Sequence, residues 1–171
     1  MAAQDSHSSI LNDFVKESLI LMDDCYELLE SAEENPSEVE KLADFANRID
    51  RVMGGARSLA LGFDNDHALY LIGDYCAICK SVGYQGAKIQ NNDQLYNVTV
   101  ALLLDAIEMV KTFLGKLDVK ASALKKTFPS AFLERLKWIS FQFDEIDRKA
   151  NASGQRLEQN EIDALLKKLG L

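Results

Sequence analysis

The sequence predicts an all-α protein, an antiparallel four- or five-helix bundle followed by a flexibly tethered amphipathic helix at its C-terminus. Apolar residues recur at steps of three and four along five segments, and no segment shows the alternation of a half-buried strand. Only two prolines occur in 171 residues, so long helices are allowed. Hydrophobic residues make up 47% of the chain, which suffices for one domain with a buried core.

The first two helices are predicted over residues 9–33 and 37–62. The first ends before Asn35-Pro36, because the proline cannot continue a helix and restricts the residue before it. The second begins at Ser37, a typical N-cap, and stops at Gly62. Their apolar sides carry Phe14, Leu21, Cys25 and Leu29 on the first helix, and Leu42, Ala46, Ile49, Met53 and Ala56 on the second.

Three further helices are predicted over 64–82, 93–117 and 130–149. The stretch 83–92 is glycine-rich and polar, which is typical of a loop. Pro129 is placed as a first-turn proline before the last of these helices. The predicted division of the chain is a helical bundle over 8–149, a flexible linker over 150–157 and a separate helix over 158–171.

Charge and composition restrict the classes of partner and compartment. The net charge of −8 and the isoelectric point near 4.8 argue against nucleic acid or an anionic membrane as the main partner. No apolar run approaches the roughly 18 to 20 residues of a membrane span, and the amino terminus lacks a signal-peptide core. We therefore expect a cytoplasmic protein, and the sequence leaves its oligomeric state open, including a homodimer.

The cysteines and the second histidine have structural interpretations. Three cysteines are an odd number, and Cys76 and Cys79 lack both the four ligands of a zinc site and the preceding strand of a redox motif. We expect them, with Cys25, to be core thiols. His67 lies near a helix start, where a capping or solvated role is predicted.

The last thirteen residues predict a short amphipathic helix. Ile162, Leu165, Leu166 and Leu169 fall at i, i+3, i+4 and i+7, so a helix gathers them on one stripe. Acidic residues lie toward the amino end of this helix and two lysines toward its carboxyl end, which is the arrangement that the helix dipole favours. Gly170 is predicted to end the helix. Helices below about 12 to 15 residues are marginal alone, so this one needs a surface.

Two surfaces are open to it. The preceding stretch 151–156 is small, polar and contains a glycine, which favours a tether that presents the helix to a groove on a partner. Alternatively, the terminal helix folds back onto its own domain.

The run from Gln159 to Leu171 resembles the C-terminal peptide of the chemotaxis phosphatase family CheZ, which binds the response regulator CheY. It is also similar to the CheY-binding peptide of the flagellar switch protein FliM. Leu171 stands where the CheZ family has an aromatic residue, and Lys167-Lys168 where acidic or small polar residues are usual. The resemblance implies that CheY is bound by Gln159, Ile162, Asp163, Leu165, Leu166 and Leu169.

The first two helices resemble histidine-phosphotransfer (Hpt) domains. The similarity lies in Phe14-Val-Lys-Glu17 with the later Leu28-Leu29 pair, and in the run from Arg48 to Ala56. Asp50 occupies the place of the phosphorylated histidine and Met53 that of the lysine, and the spacing to Gly62-Phe63 is two residues longer. The resemblance therefore implies an Hpt-like bundle without a phosphoacceptor.

A phosphatase acting on a response regulator needs an amide to orient water and an acid to engage the regulator's lysine. In CheZ these form Asp-x-x-x-Gln, and in the CheC and CheX phosphatases Glu-x-x-Asn. This chain has neither pattern; its near matches are Asp44/Asn47, Asp93/Asn97 and Asp147/Asn151, about as many as chance gives. The candidates we select are Asp44 and Asn47, which are predicted to lie mid-helix on an exposed line.

The glycine pair Gly54-Gly55 in the second helix has two interpretations, because it allows either close approach of a partner or a tight helix crossing.

Three functions remain open. The first is a CheZ-like protein that binds CheY and promotes hydrolysis of its phospho-aspartate, with Mg²⁺ on the regulator and no cofactor of its own. The second is a non-catalytic pseudo-Hpt module that sequesters or localises the regulator, and the third is a structural bundle.

Overall fold

The computed structural model describes residues 2–150 and 161–171, with side chains described over 8–149 and 161–171. These residues form seven α-helices and a short 3-10 helix at 125–127, and they contain no β-strand. The helices are α1 (Ala2–Glu30), α2 (Glu40–Ala60), α3 (Ala68–Gly86), α4 (Asp93–Leu114), α5 (Ala121–Leu124), α6 (Ser130–Ala150) and α7 (Glu161–Leu169). The predicted all-α class is confirmed.

The first four helices form the body of a bundle. α1 packs on α2 and α4, and α3 packs on the same two helices, which closes a ring of four. α1 and α2 are antiparallel. Lys41 at the start of α2 contacts Ser31 just after the end of α1, whereas Gly55 near the end of α2 lies against Phe14 in the first half of α1. α6 packs outside α3 and α4, and α7 lies against α3 and α6.

An aromatic cluster joins α6 to the four-helix body. The ring of Tyr75 on α3 meets Phe113 on α4 and Phe128 before α6 edge to face, with centroids 5.7 and 5.3 Å apart. Phe113 and Phe128 also meet edge to face, at 5.6 Å. This geometry is the one that aromatic quadrupoles favour, and it adds to the hydrophobic gain from burial. The cluster fixes where α6 begins.

α3 continues four residues beyond its predicted end at 82, through Gly83 and Gly86, which the sequence pattern assigns to a loop. A Cβ at Gly83 would lie 2.9 Å from the carbonyl oxygen of Leu42 and 3.0 Å from the Cβ of Ala46. A Cβ at Gly86 would lie 2.8 Å from a methyl group of Leu42. These glycines allow α2 to approach α3 closely, so their role is in packing rather than in a turn.

The segment between α4 and α6 contains the short helix α5, which the sequence did not predict. Its amino end is held by Asp66, whose carboxylate accepts hydrogen bonds from the Ser122 backbone N–H and hydroxyl, both at 2.8 Å. These hydrogen bonds lower the pKa of the Asp66 carboxyl. Four residues are too few for an apolar period, so pattern reading could not detect α5.

Most of the predicted linker, 151–157, lies outside the described residues, as does the predicted start of the terminal helix at 158. Within 2–150 and 161–171, none of the helices combines the length and apolar content that a bilayer span requires.

Candidate functional site

The apolar stripe of α7 is covered by the protein's own bundle. Ile162 is 0% exposed, and Leu166 and Leu169 are each 3% exposed, because α7 lies against α3 and α6. Leu165 is half-buried at the edge of the contact. The predicted helix and stripe are therefore present. However, the stripe packs intramolecularly, which differs from the expectation of a helix free for a partner and corresponds to the fold-back alternative.

Polar contacts set the direction of α7 along α3. The Lys168 ammonium lies 2.7 Å from a carboxylate oxygen of Asp74, and the Ser140 hydroxyl on α6 donates to Asp163 at 3.0 Å. The pKa of Lys80 on α3 is raised mainly by its hydrogen bond to Asp50, and the carboxylate of Glu161, at the other end of α7, adds to it. Because Lys168 lies by Asp74 and Glu161 by Lys80, α7 runs antiparallel to α3.

The C-terminus of α7 closes as the sequence predicts. Gly170 adopts a left-handed conformation, with φ of +75°. The N–H of Gly170 donates to the carbonyl of Lys167, and the N–H of Leu171 donates to that of Leu166, both at 3.0 Å. This is the Schellman motif, which needs a residue without Cβ strain at the Gly170 position. The predicted helix stop is confirmed.

The two predicted catalytic residues lie together on the solvent face of α2. Asp44 and Asn47 are both exposed and are one helical turn apart. The carbonyl oxygen of the Asn47 side chain accepts a hydrogen bond from the Tyr84 hydroxyl at 2.6 Å. This contact fixes the amide and leaves its NH₂ group to donate elsewhere.

An ion pair lies next to this amide. Lys80 on α3 donates to the Asp50 carboxylate at 2.8 Å, and its ammonium lies 6.0 Å from the centre of the Tyr84 ring. The hydrogen bond to Asp50 is the main cause of the raised pKa of Lys80, which partial burial opposes. We call Asn47, Asp50, Lys80 and Tyr84 the α2–α3 polar cluster.

The glycine pair on α2 has two different environments. A Cβ at Gly55 would lie 2.8 Å from the Phe14 ring on α1, so this glycine serves a tight helix crossing. A Cβ at Gly54 would meet nothing within 4 Å. The crossing alternative therefore holds for Gly55, and Gly54 lies open on the surface.

Asp74 connects three helices. Its carboxylate lies 3.3 Å from the Arg57 guanidinium of α2 and 2.7 Å from the Lys168 ammonium of α7, and its side chain is 16% exposed. Sequence reasoning did not select Asp74, Lys80 or Tyr84. A signal was present, since Asp74 and Lys80 are the two charged residues within α3, and they lie six residues apart in an otherwise mostly apolar helix.

The remaining predicted polar residues have structural roles or lie outside the described part. α4 is capped by Asn92, whose side chain accepts the Leu95 N–H at 3.0 Å, and Asp93 is the first residue of the helix. Asn97 is exposed on α4. Asn151 and the predicted partner-binding residue Gln159 fall within 151–160, outside the described residues.

The cysteines and His67 behave as predicted. Cys25, Cys76 and Cys79 are buried and unpaired, and burial raises the pKa of Cys25 and of Cys79 to about 12. Among the described residues, no group of His, Cys, Asp and Glu is arranged to hold a metal ion. The Nδ1 of His67 caps α3 by accepting the Leu69 N–H at 3.2 Å, and burial lowers the pKa of its imidazole.

Comparisons of this chain with protein-family models, with curated proteins and with solved structures give no match. The function of this protein is therefore inferred from its residues and their arrangement.

Proposed function

We propose that this protein binds a response regulator of the CheY type through its C-terminal helix and promotes hydrolysis of the regulator's phospho-aspartate. The observation that carries the proposal is the amphipathic run from Ile162 to Leu171, because it combines one apolar stripe and a fixed helix stop with a residue order that resembles that of CheY-binding peptides. The recognition residues proposed are Gln159, Ile162, Asp163, Leu165, Leu166 and Leu169.

The marginal stability of α7 supports an exchangeable helix. Nine residues are too few for a stable isolated helix, so α7 folds only where a surface covers its stripe. On its own bundle that surface covers three side chains almost completely and leaves Leu165 half-buried. An apolar groove on a response regulator can replace it, as amphipathic helices commonly bind in grooves.

The position of the α2–α3 polar cluster supports a catalytic role for its neighbourhood. Glu161, at the amino end of α7, acts electrostatically on Lys80, which contacts Asp50 and lies over Tyr84. In the docked state α7 therefore begins beside this cluster, and a regulator that captures α7 away from the groove stays linked to the bundle through the same chain. Such tethering raises the effective concentration of a weakly held partner.

The chemistry proposed for this face needs few groups. The regulator supplies the Mg²⁺ and the phosphoryl group, and the protein supplies an amide that orients the attacking water. Asn47 is suited to this role because Tyr84 holds its carbonyl at 2.6 Å and its NH₂ group remains available. Asp44, one turn away and exposed, is placed to engage the regulator's lysine.

A second function is favoured by the ion pair at Asp50, the residue that the Hpt resemblance aligns with the phosphorylated histidine. Asp50 carries a carboxylate in place of an imidazole and is paired with Lys80, so this position cannot accept a phosphoryl group as a histidine does. A pseudo-Hpt module that binds the regulator without accelerating hydrolysis uses the same tail and the same face. It differs from the first function only in the effect on the regulator's phosphorylated lifetime.

The lifetime of phosphorylated CheY, measured with and without the intact protein, separates the two functions. A shortened lifetime supports the phosphatase, and binding without shortening supports the module. Asn47→Ala is expected to lower the acceleration by about 10²-fold or more, as loss of a positioned catalytic group does, without weakening binding. Asn97→Ala is the matched control, because Asn97 is an exposed amide on α4.

Full activity in Asn47→Ala would contradict the assignment of the water-orienting amide while leaving recruitment by the tail intact. Loss of activity in both asparagine variants would point to a general effect on folding. Thermal unfolding of each variant distinguishes that case from a specific catalytic loss.

A further inference from the structure

The groove between α3 and α6 holds the side chains that the proposed function assigns to partner recognition. Ile162, Leu166 and Leu169 are at most 3% exposed in it. A side chain buried at this level cannot contact a second protein at the same time. Docking of α7 in the groove and binding of α7 to a partner are therefore mutually exclusive.

We infer that the α3–α6 groove is an intramolecular competitor for α7, so that the protein is autoinhibited until a response regulator captures the helix. This inference rests on the proposed function, and it adds a regulatory state to it. The occupant of the groove is the C-terminal segment 161–171 of this chain, and the regulator takes over its stripe.

The polar contacts of the groove act as a latch. Lys168 pairs with Asp74, and Asp163 accepts a hydrogen bond from Ser140. Asp163 is also one of the residues proposed to bind the regulator, so the groove and the partner use the same carboxylate. Asp74 is not among the residues proposed to bind the regulator, so its substitution weakens the latch without altering α7, although it also removes the pair with Arg57 of α2.

Competition has a definite effect on affinity. When only a fraction of the molecules has α7 undocked, the apparent dissociation constant is the intrinsic constant divided by that fraction. Changes in the groove that favour undocking must therefore tighten binding, although they remove no contact with the partner and add none.

The first test weakens the latch from the groove side in the full-length chain. Asp74→Asn removes the ion pairs of this carboxylate with Lys168 and with Arg57, and it is expected to tighten binding to phosphorylated CheY by about two- to fivefold. The matched control is Asp23→Asn, which removes the 2.7 Å pair with Lys111 between α1 and α4. Unchanged or weaker binding in Asp74→Asn overturns the inference.

The second test locks the helix in place. Ser140 and Asp163 face each other with their side-chain oxygens 3.0 Å apart, so cysteines at both positions are chosen for a disulfide between α6 and α7, and mass spectrometry verifies the bond before binding is measured. The native thiols are buried with raised pKa values, so they do not compete in the oxidation. The oxidised double variant is expected to bind phosphorylated CheY at least about tenfold more weakly than its reduced form.

The outcomes separate this inference from the proposed function. Equal binding by the oxidised and reduced forms overturns autoinhibition alone. Absence of binding by the wild-type protein removes the proposed function, and this inference with it. If the wild type binds and the reduced variant does not, Asp163 is essential to the partner contact, and the Asp74→Asn result decides the matter.

Discussion

The aromatic cluster at the start of α6 and the contact of α7 with the bundle differ in the way they are held. In the cluster, three large rings from separate parts of the chain meet edge to face, and Tyr75 and Phe113 are almost completely buried. In the α7 contact, a nine-residue helix inserts three aliphatic side chains and adds an exposed ion pair. The aromatic cluster is part of the permanent core. The α7 contact is small enough for the helix to be exchanged between the bundle and a partner.

The largest expected effect comes from the aromatic cluster. Phe113→Ala is expected to lower the free energy of unfolding by about 3–5 kcal/mol, because it removes a fully buried ring and leaves a cavity. Urea unfolding measures this loss. The matched control is Phe141→Ala on α6, where the ring is 54% exposed and the expected change is within about 0.5 kcal/mol. Similar losses of unfolding free energy in Phe113→Ala and Phe141→Ala would show that the aromatic cluster does not stabilise the fold specifically.

The α2–α3 contact is the next most sensitive region. Gly83→Ala places a Cβ about 2.9 Å from the Leu42 carbonyl, so α2 must shift, and a loss of about 1–3 kcal/mol is expected. Gly54→Ala is the matched control, because its Cβ meets nothing within 4 Å and the exchange is expected to stabilise the helix by about 0.5–1 kcal/mol. Chemical unfolding of the two variants gives both values. Stabilisation by Gly83→Ala would contradict the close approach of α2 and α3.

Substitution of a buried leucine in α7 should lower the global free energy of unfolding less than the two substitutions in the body do. Leu166→Ala would cost about 2–5 kcal/mol in a permanent core. Here the expected loss of global stability is below about 1 kcal/mol, because α7 undocks while the body stays folded. Hydrogen exchange should speed up over 161–169 and stay unchanged over 68–86.

The control for this prediction is Lys167→Ala, whose side chain is exposed on the same helix. A global loss from Leu166→Ala as large as that from Phe113→Ala would make α7 an integral part of the core and would end the distinction between the two regions.

The smallest expected effect is the pH dependence contributed by His67. Burial lowers the pKa of this imidazole below its unfolded value of about 6.5, and the neutral ring caps α3 through Nδ1. Its contribution to stability is therefore fully present above the unfolded pKa, is lost as the pH falls below about 6.5, and levels off below the lowered folded pKa. His67→Asn, which keeps a capping acceptor, should flatten the stability profile in this window. An unchanged profile would contradict the assignment.

The helices of the body could be predicted because their signals are local. Three- and four-residue steps, the stop at Gly170 and the core cysteines each depend on few neighbouring residues. The two kinds of glycine could not be separated from the sequence, since Gly83 and Gly55 face other helices and Gly54 faces solvent. That difference depends on tertiary contacts.

The candidate site was predictable only in part. The exposure of Asp44 and Asn47 followed from their positions on α2, but the contacts of Tyr84 with Asn47 and of Lys80 with Asp50 join residues more than 25 apart in sequence. The destination of the α7 stripe was undetermined for the same reason. Its periodicity requires a surface and carries no information about which molecule provides it.

Recruitment by the C-terminal helix is tested most directly by the binding of phosphorylated CheY to a chain that ends at residue 157. We expect this truncation to abolish detectable binding, while thermal unfolding shows that the α1–α6 body is still folded. Binding of the truncated chain with the affinity of the intact protein would contradict recruitment by the C-terminal helix.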